Sequence, residues 1–178
     1  LHHEMALLRL QLKLSHRPVT QLHWGGGTPT FLDAAEMTEL MHLTAQHFNL
    51  SRDNSRDYAI EIDPRTMYRE KIYLLRGLGF NRISLGIQDF DPGVQQAINR
   101  IQTVEMVSAL VDYIRERSFH SLNFDLIYGL PRQDETTLAK TLDVVIGLSP
   151  DRISYYNYAH LLIGLSPDRI SYYNYAHL

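Results

Sequence analysis

The 178-residue sequence predicts an α/β fold built on a parallel sheet, and three observations carry that expectation. Short β-rich runs alternate along the chain with amphipathic stretches of helical period. Each β-rich run ends at its carboxyl side in Gly, Thr, Glu, Asp, Gln or Asn, which is where parallel α/β folds place ligand sites. Hydrophobic residues make up 44% and charged residues 21% of the chain, an ordinary balance for one domain with its own core. Periodicity leaves a segment of a (β/α) barrel and a doubly wound sheet both open; the polar strand ends favour a curved sheet facing one ligand.

The first strand is expected over Val19 to Trp24, closing in the turn Gly25-Gly26-Gly27-Thr28-Pro29. Asp33 with Glu36 three residues on forms a capping-box pattern, and Met37, Leu40, Met41 and Phe48 then share one helical face. Tyr58 to Ile62 is the second strand, closed by Asp63-Pro64, and Met67, Leu74, Leu75 and Leu78 mark a helix stopping near Gly77 and Gly79. Arg82 to Gln88 is the third strand, followed by a helix striped with Met106, Val107, Leu110, Val111 and Ile114. Ser121 to Tyr128 is the fourth, broken by Gly129-Leu130-Pro131; Leu138, Leu142, Val145 and Ile146 carry the next helix into Ser149-Pro150. Arg152 to Tyr158 is the fifth.

Composition excludes several classes of function. A formal net charge of −3 supplies no basic field for nucleic acid or for an anionic membrane surface. No apolar run approaches the roughly 18 residues of a membrane span, and no signal-peptide pattern opens the chain, so a cytoplasmic location is expected. Zero cysteines rule out disulfides, thiolate catalysis and cysteine-ligated metal within these residues. Nine histidines show no metal-binding spacing, His2 and His3 read as a solvated helix face, and no metal ligand or catalytic residue is assigned.

Ile146 to Leu161 reads IGLSPDRISYYNYAHL and is repeated without change at Ile163 to Leu178. A single short copy cannot build a solenoid, which needs at least three repeats. The expected organisation is therefore one domain over 1–161 and a recent or artefactual duplicate over 162–178. The absence of an initiating Met leads to the expectation that further sequence precedes Leu1.

Several polar residues could carry chemistry. The glycines at 25–27 free backbone amides for a ligand or simply make a tight turn; they lack the Lys of a phosphate loop and the spacing of a dinucleotide fingerprint. Glu61 and Asp63 fall on one strand face, with Asp63 assigned to capping before Pro64 and Glu61 to a ligand. Gln88, Asp89, Arg100 and Asp125 stand at or beyond strand ends, and Asp125 between Phe124 and Leu126 needs a pairing partner such as Arg82 or Arg100, or a ligand. Tyr155, Tyr156 and Tyr158 could line a pocket for a flat molecule, but strand aromatics more often pack in a core.

Six strings occur in order: QLHWGGGTPTFL at Gln21–Leu32, AIEIDPR at Ala59–Arg65, RISLGIQDF at Arg82–Phe90, INRIQ at Ile98–Gln102, NFDLIYGLPRQ at Asn123–Gln133 and YNYAHL at Tyr156–Leu161. Together they resemble the oxygen-independent coproporphyrinogen III oxidases, a family of radical S-adenosylmethionine enzymes, over about residues 1–161. The resemblance implies a partial (β/α) barrel of the radical SAM type with parallel strands, here missing the first strand. It also implies a 4Fe-4S cluster held by a Cys-x-x-x-Cys-x-x-Cys loop, and anaerobic oxidative decarboxylation of coproporphyrinogen III to protoporphyrinogen IX in haem biosynthesis. The partners it implies are a porphyrinogen substrate and an electron donor that no motif here names.

By the same resemblance, Gly26, Gly27 and Thr28 would contact the amino-acid portions of S-adenosylmethionine, and Glu61 the ribose or methionine end of one molecule. Gln88, Arg100 and Asp125 would contact a second S-adenosylmethionine, and Ala159 would add a backbone contact. The cysteine loop has no counterpart, so this chain is expected to bind no cluster and to be inactive by itself. Two other readings stay open: a related haem chaperone of the same superfamily, and a cofactor-independent binding protein reusing the barrel pieces.

Overall fold

The computed structural model describes residues 1–12 and 17–158. Its helices and strands, in chain order, are α1 (His2–Leu12), β1 (Pro18–Val19), β2 (Gln21–Trp24), α2 (Ala34–His47), β3 (Asn49–Leu50), β4 (Asp57–Ile62), α3 (Arg69–Gly77), β5 (Arg82–Gln88), α4 (Pro92–Ala97), α5 (Val104–Glu116), β6 (Ser121–Tyr128), α6 (Glu135–Leu148) and β7 (Arg152–Asn157). Five strands form one all-parallel sheet in the order β2-β4-β5-β6-β7, as the alternating pattern predicts. A two-residue parallel ladder pairs Pro18 with Asn49 and Val19 with Leu50; both strands are too short to leave a period in the sequence.

The side chains of β4, β5 and β6 sort by parity. Tyr58, Ile60 and Ile62, then Ile83, Leu85 and Ile87, then Leu122, Phe124 and Leu126 are buried against the helices. Met37 and Met41 of α2, Ile72 and Leu75 of α3, Val107, Leu110, Val111 and Ile114 of α5, and Val145 of α6 complete this core. Stripes at i, i+3, i+4 and i+7 are what bind these helices to the sheet, each fully buried aliphatic side chain contributing about 1.5–3 kcal/mol. Alternation turns the neighbouring residues, Glu61, Ser84, Gly86, Gln88, Asn123 and Asp125, to the other face.

Local chemistry sets the helix starts. Asp33 and Glu36 form the expected capping box, the Glu36 amide donating to Asp33 Oδ1 at 2.9 Å and the Asp33 amide to Glu36 Oε2 at 2.8 Å. Asp134 and Thr137 make a second one ahead of α6. Lys71 of α3 is buried and donates from Nζ to Thr30 O at 2.7 Å and Leu32 O at 2.9 Å, tying the segment after the glycine turn to the helix behind it.

Three expectations are corrected here. Ile146 is 70% exposed, because α6 turns Thr141 and Val145, one position earlier in the period, toward the sheet. Met67 lies before α3, which starts only at Arg69 after a short 3₁₀ turn over Pro64–Thr66. No residue of β7 is buried, so the tyrosines of this strand do not pack in the core: Tyr155 stacks on Tyr128 with ring centroids 5.0 Å apart, and Tyr156 faces the polar side of the sheet. Ala159 and the duplicate at 162–178 lie outside the described residues.

Candidate ligand cleft

At the carboxyl ends of the strands one cleft is lined by Gly26, Gly27, Thr28, Glu61, Asp63, Gln88, Arg100, Asp125 and Tyr156, with Ile62 and Gly86. Parallel strands whose loops all leave from the same edge bring these residues together from six separate stretches of chain. Seven of the sequence-derived candidates (Gly26, Gly27, Thr28, Glu61, Gln88, Arg100 and Asp125) thus share one wall.

The backbone is built for close approach. Gly26 and Gly27 sit at φ of 76° and 80°, a left-handed region that side chains disfavour, and neither would meet a neighbour at Cβ. Gln88, at the end of β5, holds φ 65° where the β5–β6 register shifts between Gly86 and Gln88. A non-glycine residue kept in this conformation costs of order 1 kcal/mol and persists when its surroundings enforce it.

Charge is distributed unevenly round the cleft. Glu61 receives His23 Nε2 at 3.0 Å on Oε1 and the Gly26 amide at 3.3 Å on Oε2. Across the sheet, Asp125 accepts from Ser84 Oγ at 2.6 Å, from Asn123 Nδ2 at 2.8 Å and from Tyr156 OH at 3.5 Å. Burial pushes its carboxyl above the ordinary aspartate range, and the negative charge of Glu61 adds to that push, against the lowering by the Ser84 and Asn123 hydrogen bonds. Arg82, one partner proposed for Asp125, is instead paired with Asp57 at 2.5 Å.

Asp63 both lines the cleft and caps the 3₁₀ turn, as the Asp-Pro sequence predicts, accepting the Arg65 amide at 3.0 Å. Its carboxylate is held by Arg65 Nη2 at 2.6 Å and Nε at 3.0 Å, and stands 3.5 Å from Arg100 Nη2. Burial alone would raise this carboxyl, but the Arg65 hydrogen bonds and the Arg100 charge outweigh it and hold it below the ordinary range. Arg100 also donates to Gly86 O at 3.1 Å, and a Cβ on Gly86 would fall 2.9 Å from its Nη2, so a side chain there would make the guanidinium shift from this position.

Asp89, the remaining strand-end candidate, is fully buried and points away from the cleft into a hydrogen-bonded cluster with Thr141 and Gln133. Two participants are not signalled by sequence reasoning, His23 and Arg65, while Tyr156, weighed between pocket and core, takes the pocket side. His23 and Arg65 stand in the quoted motif strings, and the alternation of β2 places His23 on the Glu61 face, so pairing strands β2 and β4 on paper would have found it. Among the described residues no group of His, Asp and Glu is arranged to hold a metal ion, and no helix is long and apolar enough to cross a membrane.

The sequence that folds into this sheet and cleft matches, over residues 4–145, the family model described as the Radical SAM superfamily, and the chain belongs to that superfamily. Its sheet is a partial (β/α) barrel of that type. Among individual relatives, the oxygen-independent coproporphyrinogen III oxidase of Pseudomonas aeruginosa is 54% identical over 143 residues, covering 80% of this chain and 31% of the relative. The protein of the same name from Escherichia coli is 48% identical over 145 residues, again 31% of its length. The solved structure of coproporphyrinogen III oxidase from Escherichia coli superposes with a TM-score of 0.82 at 44% identity, over 90% of this chain and 36% of that one. Methylornithine synthase, at 12% identity and a TM-score of 0.66, shares the fold alone. The chain spans about a third of the length of the curated relatives it matches.

Radical SAM proteins in full length carry S-adenosylmethionine and a 4Fe-4S cluster, and the two fare differently against these residues. The cleft offers carboxylates for an ammonium group and for ribose hydroxyls, a guanidinium for a carboxylate, and bare glycine backbone for close approach. That donor set fits S-adenosylmethionine. The chain contains no cysteine and therefore supplies no thiolate for the cluster, which does not fit the residues present.

Proposed function

We propose that this chain is the S-adenosylmethionine-binding part of an oxygen-independent coproporphyrinogen III oxidase, the anaerobic decarboxylase that converts coproporphyrinogen III to protoporphyrinogen IX. The observation that carries the reading is the meeting of Gly26, Gly27, Thr28, Glu61, Gln88, Arg100 and Asp125 on one cleft wall. In this reading Gly26, Gly27 and Thr28 cradle the amino-acid portion of one S-adenosylmethionine, and Glu61 accepts from its ribose or methionine end. Gln88, Arg100 and Asp125 serve a second molecule, the arginine fork taking a carboxylate and Asp125 accepting from ribose hydroxyls. S-adenosylmethionine supplies the radical chemistry of the full-length oxidases, and this chain's residues bind and orient it. Without thiolates the isolated chain binds S-adenosylmethionine without cleaving it, and the porphyrinogen substrate and electron donor belong to the longer protein.

Calorimetric titration of the full chain with S-adenosylmethionine tests this. Saturable binding at two sites, with Glu61→Gln and Asp125→Asn each weakening a different one, is the expected result. Absence of binding would sink the reading, and tight haem binding in its place would support the chaperone alternative.

A further inference from the structure

We infer that His23 is a positioning residue for Glu61, holding the carboxylate against the glycine turn so that its remaining acceptor directions face the cleft. His23 stands on β2 and Glu61 on the neighbouring β4, with His23 opposite Ala59 in the ladder, so both side chains rise from the same face. Nε2 of the imidazole lies 3.0 Å from Glu61 Oε1, while the amide of Gly26 donates to Oε2 at 3.3 Å. Among the described residues each carboxylate oxygen is thus used once. An ionised carboxylate has about four acceptor sites, and this one, with 34% of its side chain exposed, has capacity left for an ammonium or hydroxyl group.

The adjoining backbone gives a second, independent sign that the pair is one unit. A Cβ built on Gly25 would collide with His23 Nε2 and come within 2.7 Å of Glu61 Oε1. The imidazole and carboxylate therefore lie directly on the bare backbone of Gly25, and the glycine is needed to let them do so. Without His23 the carboxylate keeps only the Gly26 contact and regains rotational freedom, which a bound molecule must then remove. The His23 side chain is itself 57% exposed, so replacing it should leave the sheet intact. The inference rests on the cleft reading above only for the identity of what Glu61 holds.

The test uses the full chain with His23→Leu, His23→Gln and Glu61→Gln. Without any added molecule, the Gly26 amide resonance reports the carboxylate position. His23→Leu is expected to move it in the same direction as Glu61→Gln, and His23→Gln, whose amide reaches a similar point, to leave it near the parent position. With S-adenosylmethionine, His23→Leu should weaken binding about tenfold, the size of one lost hydrogen bond to a charged group. His23→Gln should recover most of that loss, and in the Glu61→Gln background His23→Leu should cost nothing further. A Gly26 resonance indifferent to His23→Leu, or additive losses in the double variant, would overturn the inference. If no variant or parent binds S-adenosylmethionine, the cleft reading fails while the amide resonance still decides whether His23 positions Glu61.

Discussion

Ser84 Oγ on β5 donates to Asp125 Oδ2 on β6 at 2.6 Å, so a carboxylate flanked in sequence by the buried Phe124 and Leu126 is met on its own face by a hydroxyl. Asn123 and Tyr156 complete its surroundings. These hydrogen bonds moderate the desolvation of Asp125 without cancelling it, and its carboxyl stays above the ordinary range. A group whose native value is raised above its unfolded one binds its proton more tightly when folded. Its contribution to stability is then present at low pH and is lost as pH rises from the ordinary aspartate range through the raised native value. Urea unfolding of the parent and Asp125→Asn over that range should show the parent losing stability relative to the variant as pH rises. A constant difference at every pH would contradict the burial argument.

Two glycines separate site from scaffold. Gly25→Ala pushes a methyl group onto His23 and Glu61, both exposed enough to move aside, so the fold should survive while the cleft is disturbed. Gly77, the last residue of α3, has open space at its Cβ and no left-handed φ. Gly77→Ala should therefore raise stability by about 0.5–1 kcal/mol through helix propensity and a less flexible unfolded chain. Thermal unfolding and S-adenosylmethionine titration of both variants check this; a Gly25→Ala chain that binds as the parent does would show that the His23–Glu61 contact has slack.

Period and punctuation made most of this architecture readable. Strands β5 and β6 fall on the residues expected because Ile83, Leu85 and Ile87, and Leu122, Phe124 and Leu126, alternate cleanly, and β6 stops at the Gly129 turn. Two-residue β1 and β3 and six-residue α4 are too short for any period to register. Tyr155 and Tyr156 were misjudged because strand aromatics are usually covered, whereas β7 has a strand partner on one side only among the described residues and none of its residues is buried. The cleft was legible where a residue type is costly to place without purpose, as with Asp125 and the glycine run. His23 was missed because its role exists only across a strand pair.

Lys71 should be more important to the glycine turn than to the core it sits in. Burial holds its ammonium below the ordinary lysine range, partly offset by the charge of Asp33, and two carbonyls, Thr30 O and Leu32 O, occupy its donors. Lys71→Met keeps the apolar stem and leaves both carbonyls unanswered, with an expected loss of about 2 kcal/mol. The amide protons of residues 28–32 should exchange faster in the variant than in the parent, while those of β5 and β6 lose only the protection that the global change accounts for. Uniform loss of protection would mean that Lys71 supports the whole sheet equally.

Asp89 is where the back of the cleft is fastened. It is fully buried, and its carboxylate accepts the Asp91 amide at 2.6 Å, the Thr141 hydroxyl at 2.8 Å and the Gln133 side-chain amide at 2.6 Å. Gln133 in turn accepts the Gly129 amide at 2.7 Å, and Thr141 accepts the Phe90 amide at 3.1 Å. One carboxylate therefore joins the ends of β5 and β6 to α6, directly beside Gln88 with its φ of 65°. Asp89→Ala strands several buried donors at once, and each unanswered group costs about 1–3 kcal/mol, so a loss of about 3 kcal/mol or more is expected. Asp89→Asn preserves the shape but sets an amide NH₂ against the Gln133 NH₂, and should cost less than the alanine, as should Thr141→Val, which removes one donor to the carboxylate and the acceptor of the Phe90 amide. Denaturant unfolding of the three variants gives the ranking directly. Should Asp89→Asn prove as stable as the parent, Gln133 must be able to turn its amide over without losing Gly129, and the rigidity argued for this corner of the sheet would not hold.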